Sequence, residues 1–244
     1  MDLLLILIAQ LFFAELTYAE VQSQAAAEQV VAEKPSVSSL EEAGGRVLIM
    51  FTHPSSPESL WAGTTHGGLW HSADSGQIWT LASDLLRDMA VGAVTADPLN
   101  PSIMYAGTGE GRSNRAELRG HGMFKSMDGG ASWAWLALTD PVTVGESWSH
   151  INDIAVSRSG VMLAATSDNQ YNGFVYRSTD SGQTWGLLPV YVGSKVGPRN
   201  IIYKLRFDPD NSSTALFMDA YANVTYSNDS GASWSVAKKG KTCP

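Results

Sequence analysis

Short apolar stretches and compact polar turns alternate along this chain, and the alternation repeats four times. The stretches RVLIMF (46–51), VGAVTA (91–96), INDIAV (151–156) and YKLRF (203–207) each run into a turn: HPSSPES, DPLNPS, SRSG and DPDNSST. Pro, Asn, Asp, Ser and Gly dominate these turns because they preset or tolerate the required backbone angles. A second β-prone stretch follows each turn: SLWAGTTHGG (59–68), IMYAGTGEG (103–111), VMLAATSD (161–168) and ALFMDAY (215–221). After a variable loop come GLWHS, GMFKS, FVYRS and NVTYS, which read as third strands.

Each third strand ends in one octapeptide pattern, Ser-x-Asp-x-Gly-x-x-Trp. Its four copies are Ser72, Asp74, Gly76, Trp79; Ser126, Asp128, Gly130, Trp133; Ser178, Asp180, Gly182, Trp185; and Ser227, Asp229, Gly231, Trp234. Their first residues lie 54, 52 and 49 positions apart, a spacing that sets the structural unit at about 50 residues. The Asp carboxylate suits acceptance of backbone N–H groups across the turn, Gly supplies a positive φ, and Ser adds a local hydrogen bond. The Trp starts a fourth strand and offers a ring to pack between units. These sixteen residues therefore read as structural. The expected unit is a four-stranded antiparallel meander, the content of one propeller blade, with units at about 46–83, 91–138, 151–190 and 202–238.

Composition narrows the function. The chain has 244 residues, 16% of them charged, and a formal net charge of −8. It shows no basic footprint for a phosphate backbone, so nucleic acid is excluded as a partner. The single cysteine, Cys243, permits neither an intrachain disulfide nor a multi-cysteine metal site, and no cofactor or metal is expected. An apolar run at 3–14 followed by Thr17-Tyr18-Ala19 reads as a signal peptide over 1–19, giving a secreted or periplasmic protein with no stable membrane span after cleavage. An uncleaved anchor and a misplaced start are the alternatives. Residues 20–45 read as an acidic linker. Most of the acidity lies in these leading segments: residues 1–45 hold seven acids and one base, whereas 46–244 hold 17 acids and 15 bases.

The octapeptide resembles the Asp-box, or BNR repeat. This motif is shared by sialidases, xyloglucan-active glycoside hydrolases, sortilin-type receptor domains, photosystem II assembly factors and many exported bacterial proteins. The resemblance runs over 46–234 and implies an all-β propeller of four-stranded blades, four of them present. It says little about activity. The sialidase Arg-Ile-Pro motif is absent. Where xyloglucan-active enzymes carry the general acid in Thr-Asp-x-Gly-Gly, this chain reads Thr64-Thr65-His66-Gly67-Gly68, and a threonine hydroxyl cannot protonate a glycosidic oxygen as a carboxylic acid does. The expectation is a non-catalytic propeller that binds protein or glycan. A sialidase- or xyloglucanase-like hydrolase, or an inactive fragment of one, is the alternative.

Strand order says where a ligand would sit. In a four-stranded meander the first and third turns share one end, and the second turns and blade connections share the other. The octapeptides are third turns, so the second-turn face is expected to carry the site. Its candidates are Glu110, Arg112, Arg115, Glu117, Arg119 and His121 in the second turn of the second unit. Glu146, Trp148 and His150 come from the following connection, and Asp168 from the third unit. An aromatic beside Arg and carboxylate groups suits a sugar or an acidic peptide; a self-paired, solvated charge loop is the alternative. With four units and no spare strand to close the ring, the expectation is a partial or truncated copy of a larger propeller; a four-bladed ring and two chains completing a larger one are the alternatives. An open array would self-associate through its apolar ends.

Overall fold

The computed structural model describes residues 36–37, 45–111, 118–170, 172–188 and 201–237. Within them the chain forms four antiparallel sheets in chain order. Blade one contains β2 (Val47–Thr52), β3 (Leu60–Thr64), β4 (Leu69–Ser72) and β5 (Trp79–Leu81). Blade two contains β6 (Val91–Ala96), β7 (Met104–Thr108), β8 (Met123–Ser126) and β9 (Ala134–Trp135). Blade three contains β10 (His150–Val156), β11 (Met162–Ser167), β12 (Gly173–Ser178) and β13 (Gly186–Leu187). Blade four contains β14 (Ile202–Phe207), β15 (Ala215–Asp219), β16 (Val224–Ser227) and β17 (Ser235–Val236). Each is a simple meander in which consecutive strands pair. A short strand, β1 (Ser36–Val37), lies inside the stretch read as a linker and pairs with β5, adding a fifth strand to blade one.

The inner strands β2, β6, β10 and β14 pack successively side by side and together line one groove, so they converge on a common axis. Each has its register shifted at the same place, leaving Leu48, Gly92, Asn152 and Tyr203 as the bulged residues. A bulge sharpens local twist and re-aims its side chain. Here it recurs at the second-turn end of every inner strand.

Alternate residues of blades two and three pack against the two neighbouring blades, as a period-two element buried on both faces requires. Trp61, Leu69, Val94, Met104 and Phe124 join blades one and two. Tyr105, Met123, Ile154 and Met162 join blades two and three, and Leu163, Val175, Leu205 and Phe217 join blades three and four. Burial of a side chain of this size is worth roughly 1.5–3 kcal/mol. On the far side of blade four the pattern opens. Leu216, Met218, Val224 and Tyr226 are 38–45% exposed, whereas the counterparts of the first three in blades two and three, Tyr105, Gly107, Met123, Leu163, Ala165 and Val175, are buried.

The octapeptide turns have one geometry. In each, two successive residues adopt positive φ: Ser75 and Gly76, Gly129 and Gly130, Ser181 and Gly182, Ser230 and Gly231. The Ser hydroxyl donates to the Asp carboxylate at 2.6–2.8 Å and accepts from the Gly N–H. The Trp indole N–H donates to the Gly carbonyl at 3.1 Å in all four. Asp128, Asp180 and Asp229 also accept from a backbone N–H and a hydroxyl of Ser132, Thr184 and Ser233. Those hydroxyls, then the backbone donors, hold the three carboxyls down at about 2. Asp74 faces Ile78 instead, so it lacks that hydroxyl; its pKa is lowered chiefly by Ser72 and then by the Ile78 N–H.

The turns also reach across blades. Gly130 of blade two lies on the Trp61 ring of blade one, and a Cβ built at Gly231 would come within 2.7 Å of Leu163 Cδ2 in blade three. Lys125 donates to the Ser181 carbonyl at 3.2 Å, and Arg177 to the Ser230 carbonyl at 3.0 Å. Turn chemistry and blade stacking are therefore one device.

Candidate functional site

At the second-turn end, a residue at or just past the end of the second strand secures the turn in every blade: Thr64, Thr108 and Asp219 close β3, β7 and β15, and Asp168 follows β11. Thr64 Oγ1 accepts from the Gly67 N–H, and Thr108 Oγ1 accepts from the His121 N–H and donates to the Gly122 carbonyl. The Asp168 carboxylate accepts from the N–H groups of Gln170 and Asn172 and from the Asn172 side chain. Asp219 does the same with Tyr221 and Asn223. Asp168, selected from sequence as a ligand residue, is thus a turn staple with three of its roughly four acceptor sites occupied.

The second turn of blade two presses inward. Gly109 donates to the Ala90 carbonyl and Gly120 to the Ser149 carbonyl, at 2.8 and 2.7 Å. Gly111 lies so close to β10 that a Cβ would meet Ser167 Oγ at 2.5 Å and Asn152 Oδ1 at 2.7 Å. Between these glycines the Glu110 side chain is 4% exposed and forms an ion pair with Arg46, which is 58% exposed and comes from the start of blade one. Arg46 is positioned in turn by Thr65, whose Oγ1 accepts the Arg46 N–H at 3.1 Å.

Arg119 and Glu146 pair at 3.2 Å on the surface, where such a bridge is worth about 0–1 kcal/mol. His121, two residues after Arg119, is exposed, its carbonyl accepting from the Trp135 indole at 2.7 Å. Arg112, Arg115 and Glu117 lie outside the described residues.

Two other candidates prove to be interior. Trp148 is 2% exposed, its ring 4.3 Å from Tyr176 and 5.4 Å from Trp185 between blades two and three. The short helix Pro141–Val144, capped by Asp140, and the 3-10 turn after it carry the ring into the core, so it is unavailable for stacking on a sugar. His150 is buried as well. Its Nδ1 lies 3.2 Å from the Ser167 carbonyl, which can only accept, so that nitrogen carries the proton and Nε2 is an acceptor without a partner among the described residues. Burial is the main cause of its lowered pKa.

Sequence reasoning missed Asn152, the bulged residue of β10. Its Nδ2 donates to Ser167 Oγ at 3.2 Å, while its buried Oδ1 finds no partner among the described residues. With Glu110, Gly109 and Gly111 it lines a cavity of about 10 Å³, room for one water. An Asn within INDIAV gives no signal of this without the bulge. Among the described residues no group of three His, Cys, Asp or Glu could hold a metal ion, and no helix is long and apolar enough to cross a membrane.

No family model matches this chain, and no curated protein matches it in sequence. Solved structures do. The GH74 xyloglucanase from Xanthomonas campestris aligns at a TM-score of 0.56 with 17% identity, covering 77% of this chain and 29% of that one. The GH74 enzyme from Niastella koreensis aligns at 0.54 with 20% identity, covering 81% and 30%. The fold is a β-propeller. This chain spans about three-tenths of the length of those two enzymes, and at such identities the likeness concerns architecture alone.

Proposed function

We propose that this propeller is a non-catalytic binding module that takes a protein or glycan ligand on its second-turn face. The observation that carries the reading is a set of exposed polar side chains, Arg46, Arg119, His121 and Glu146, above a buried acceptor set of Glu110, His150 Nε2 and Asn152 Oδ1. The backbone at Gly109, Glu110 and Gly120, which flanks these groups in blade two, is held by its own hydrogen bonds, so little ordering is lost there when a ligand arrives. The octapeptide repeat, with its Asp-box character, supports the same reading by confining four of the 17 acids of residues 46–244 to third turns.

Hydrolysis is the weaker reading. Inverting and retaining glycosidases need two carboxyl groups flanking the scissile bond. Here Glu110 is taken up by Arg46, Glu146 by Arg119, and Asp168 by its own turn. A panel of fluorogenic glycosides tests this: the proposal expects no turnover above that of a Glu110→Ala, Glu146→Ala double variant, and turnover abolished by that variant contradicts it.

The exposed face of blade four supports a second element of the proposal, association with another copy of this chain. Its Leu216 and Tyr226 stand where Trp61 and His71 stand in blade one, and there Trp61 receives the octapeptide turn of the next blade. Apolar side chains grouped this way mark interaction surfaces.

A further inference from the structure

At the opposite end of the axis, away from the second turns, the inner strands enclose a groove of about 330 Å³. Its walls are apolar: Ile49 and Phe51 of β2, Val94 of β6, Val156 of β10 and Phe207 of β14. Its ionic groups are Arg158, Arg206, Asp153 and Asp208. A pocket of several hundred cubic ångströms with apolar walls and a few convergent polar groups has the character of a ligand site.

The hydrogen-bond accounting at the mouth is lopsided. Asp153 is nearly buried and accepts from the Ile154 N–H at 3.1 Å, the Leu205 N–H at 3.0 Å and Arg206 Nη1 at 2.7 Å, with Lys204 Nζ at 3.9 Å. Asp208 accepts from the N–H groups of Asp210 and Asn211 in its own turn. Asp153 is thereby committed to structure, and the exposed Asp208 has one oxygen, Oδ1, tied to its own turn. The donors are not so committed: Arg206 engages only Nη1, and Arg158 is exposed with no hydrogen bond or ion pair among the described residues. Free guanidinium donors beside apolar walls call for a ligand that brings carboxylate acceptors and apolar side chains together.

Arg158 also departs from the repeat. The second position of the first turn is Pro54, Pro98 and Pro209 in blades one, two and four, and Arg158 in blade three. A proline there presets the turn; blade three has a guanidinium at the groove instead.

We propose that this groove binds an extended acidic-apolar peptide segment of a partner protein, Arg158 and Arg206 receiving its carboxylates and the inner-strand walls its apolar side chains. The site is separate from the second-turn face and stands or falls independently of it.

The test uses the full chain and a fluorescent, N-acetylated and C-amidated pentapeptide of alternating leucine and glutamate, with its glutamine counterpart as control. Anisotropy is expected to show at least tenfold tighter binding of the glutamate peptide. Arg158→Glu should weaken that binding at least tenfold, and Met50→Asp, at a half-exposed position of the groove, should do likewise with an unchanged melting temperature. Arg119→Ala, at the other end, should leave it unaltered. Equal affinity for the two peptides, no binding of either, or indifference to Arg158→Glu and Met50→Asp would overturn the proposal.

Discussion

Gly130 sits on the indole ring of Trp61, and no side-chain atom fits between them. The glycine belongs to the octapeptide of blade two and the tryptophan to the second strand of blade one, so one van der Waals contact fixes both a turn and a blade interface. Its neighbour Gly129 also has positive φ, yet nothing lies within 4 Å of where its Cβ would be.

These two glycines should respond differently to substitution. Gly130→Ala combines a left-handed backbone penalty with overpacking and is expected to cost about 3 kcal/mol. Gly129→Ser should cost less than about 1 kcal/mol, since Ser75, Ser181 and Ser230 occupy the same place with φ near 60°. Urea titration of both variants checks the contrast.

The stapled aspartates predict acid sensitivity. Asp128, Asp180 and Asp229 titrate at about 2 in the folded chain and at about 3.9 when unfolded. A depressed carboxyl stabilises the fold above its unfolded value, and that contribution is lost as pH falls from about 4 towards 2. Replacing Asp180 by Asn should flatten the fall in stability over that window. Conversely, Ile78→Ser restores the missing hydroxyl beside Asp74 and should lower the Asp74 titration midpoint, measured by carboxyl-carbon NMR.

His150 adds a separate dependence. Its imidazole is pushed below its ordinary value by burial. The unfolded chain therefore binds the proton first, and stability present above about 6.5 declines as pH drops below it. His150→Gln should remove that part of the pH profile while leaving the step below pH 4.

Asp153 ties blade three to blade four through the Leu205 N–H and Arg206. Asp153→Ala leaves a buried N–H and a guanidinium without their acceptor, and should cost about 2–3 kcal/mol in chemical denaturation. Double substitution with Arg206→Ala should cost less than the sum of the single changes, because the two residues share one interaction.

The exposed face of blade four predicts self-association that depends on apolar contact. Sedimentation velocity of the full chain should show concentration-dependent oligomers that persist at high salt. Leu216→Asp together with Tyr226→Asp should render the chain monomeric.

The fold was legible because its signal is local and repeated. Four copies of one turn at near-constant spacing leave the chain between them little choice but a meander. The site was less legible because its chemistry depends on which residues meet across blades. Asp168 looks like a free acid until its carboxylate is seen accepting from Gln170 and Asn172, as Asp219 accepts from Tyr221 and Asn223. Trp148 looks like a surface aromatic until the connection folds it beneath Tyr176. Asn152 and Asp153 sit side by side in an ordinary strand, and only the bulge sends one towards the second-turn face and the other into the axial groove.

The central claim is that the second-turn face binds and does not catalyse. Its most direct measurement is binding of the full chain to a combined glycan and peptide array, compared with an Arg119→Ala, His121→Ala, Glu146→Ala variant of unchanged melting temperature, alongside the glycoside turnover panel. The prediction is a defined set of bound ligands that the triple variant loses, with no turnover. Ligands bound equally by both proteins, or turnover that depends on Glu110, would contradict it.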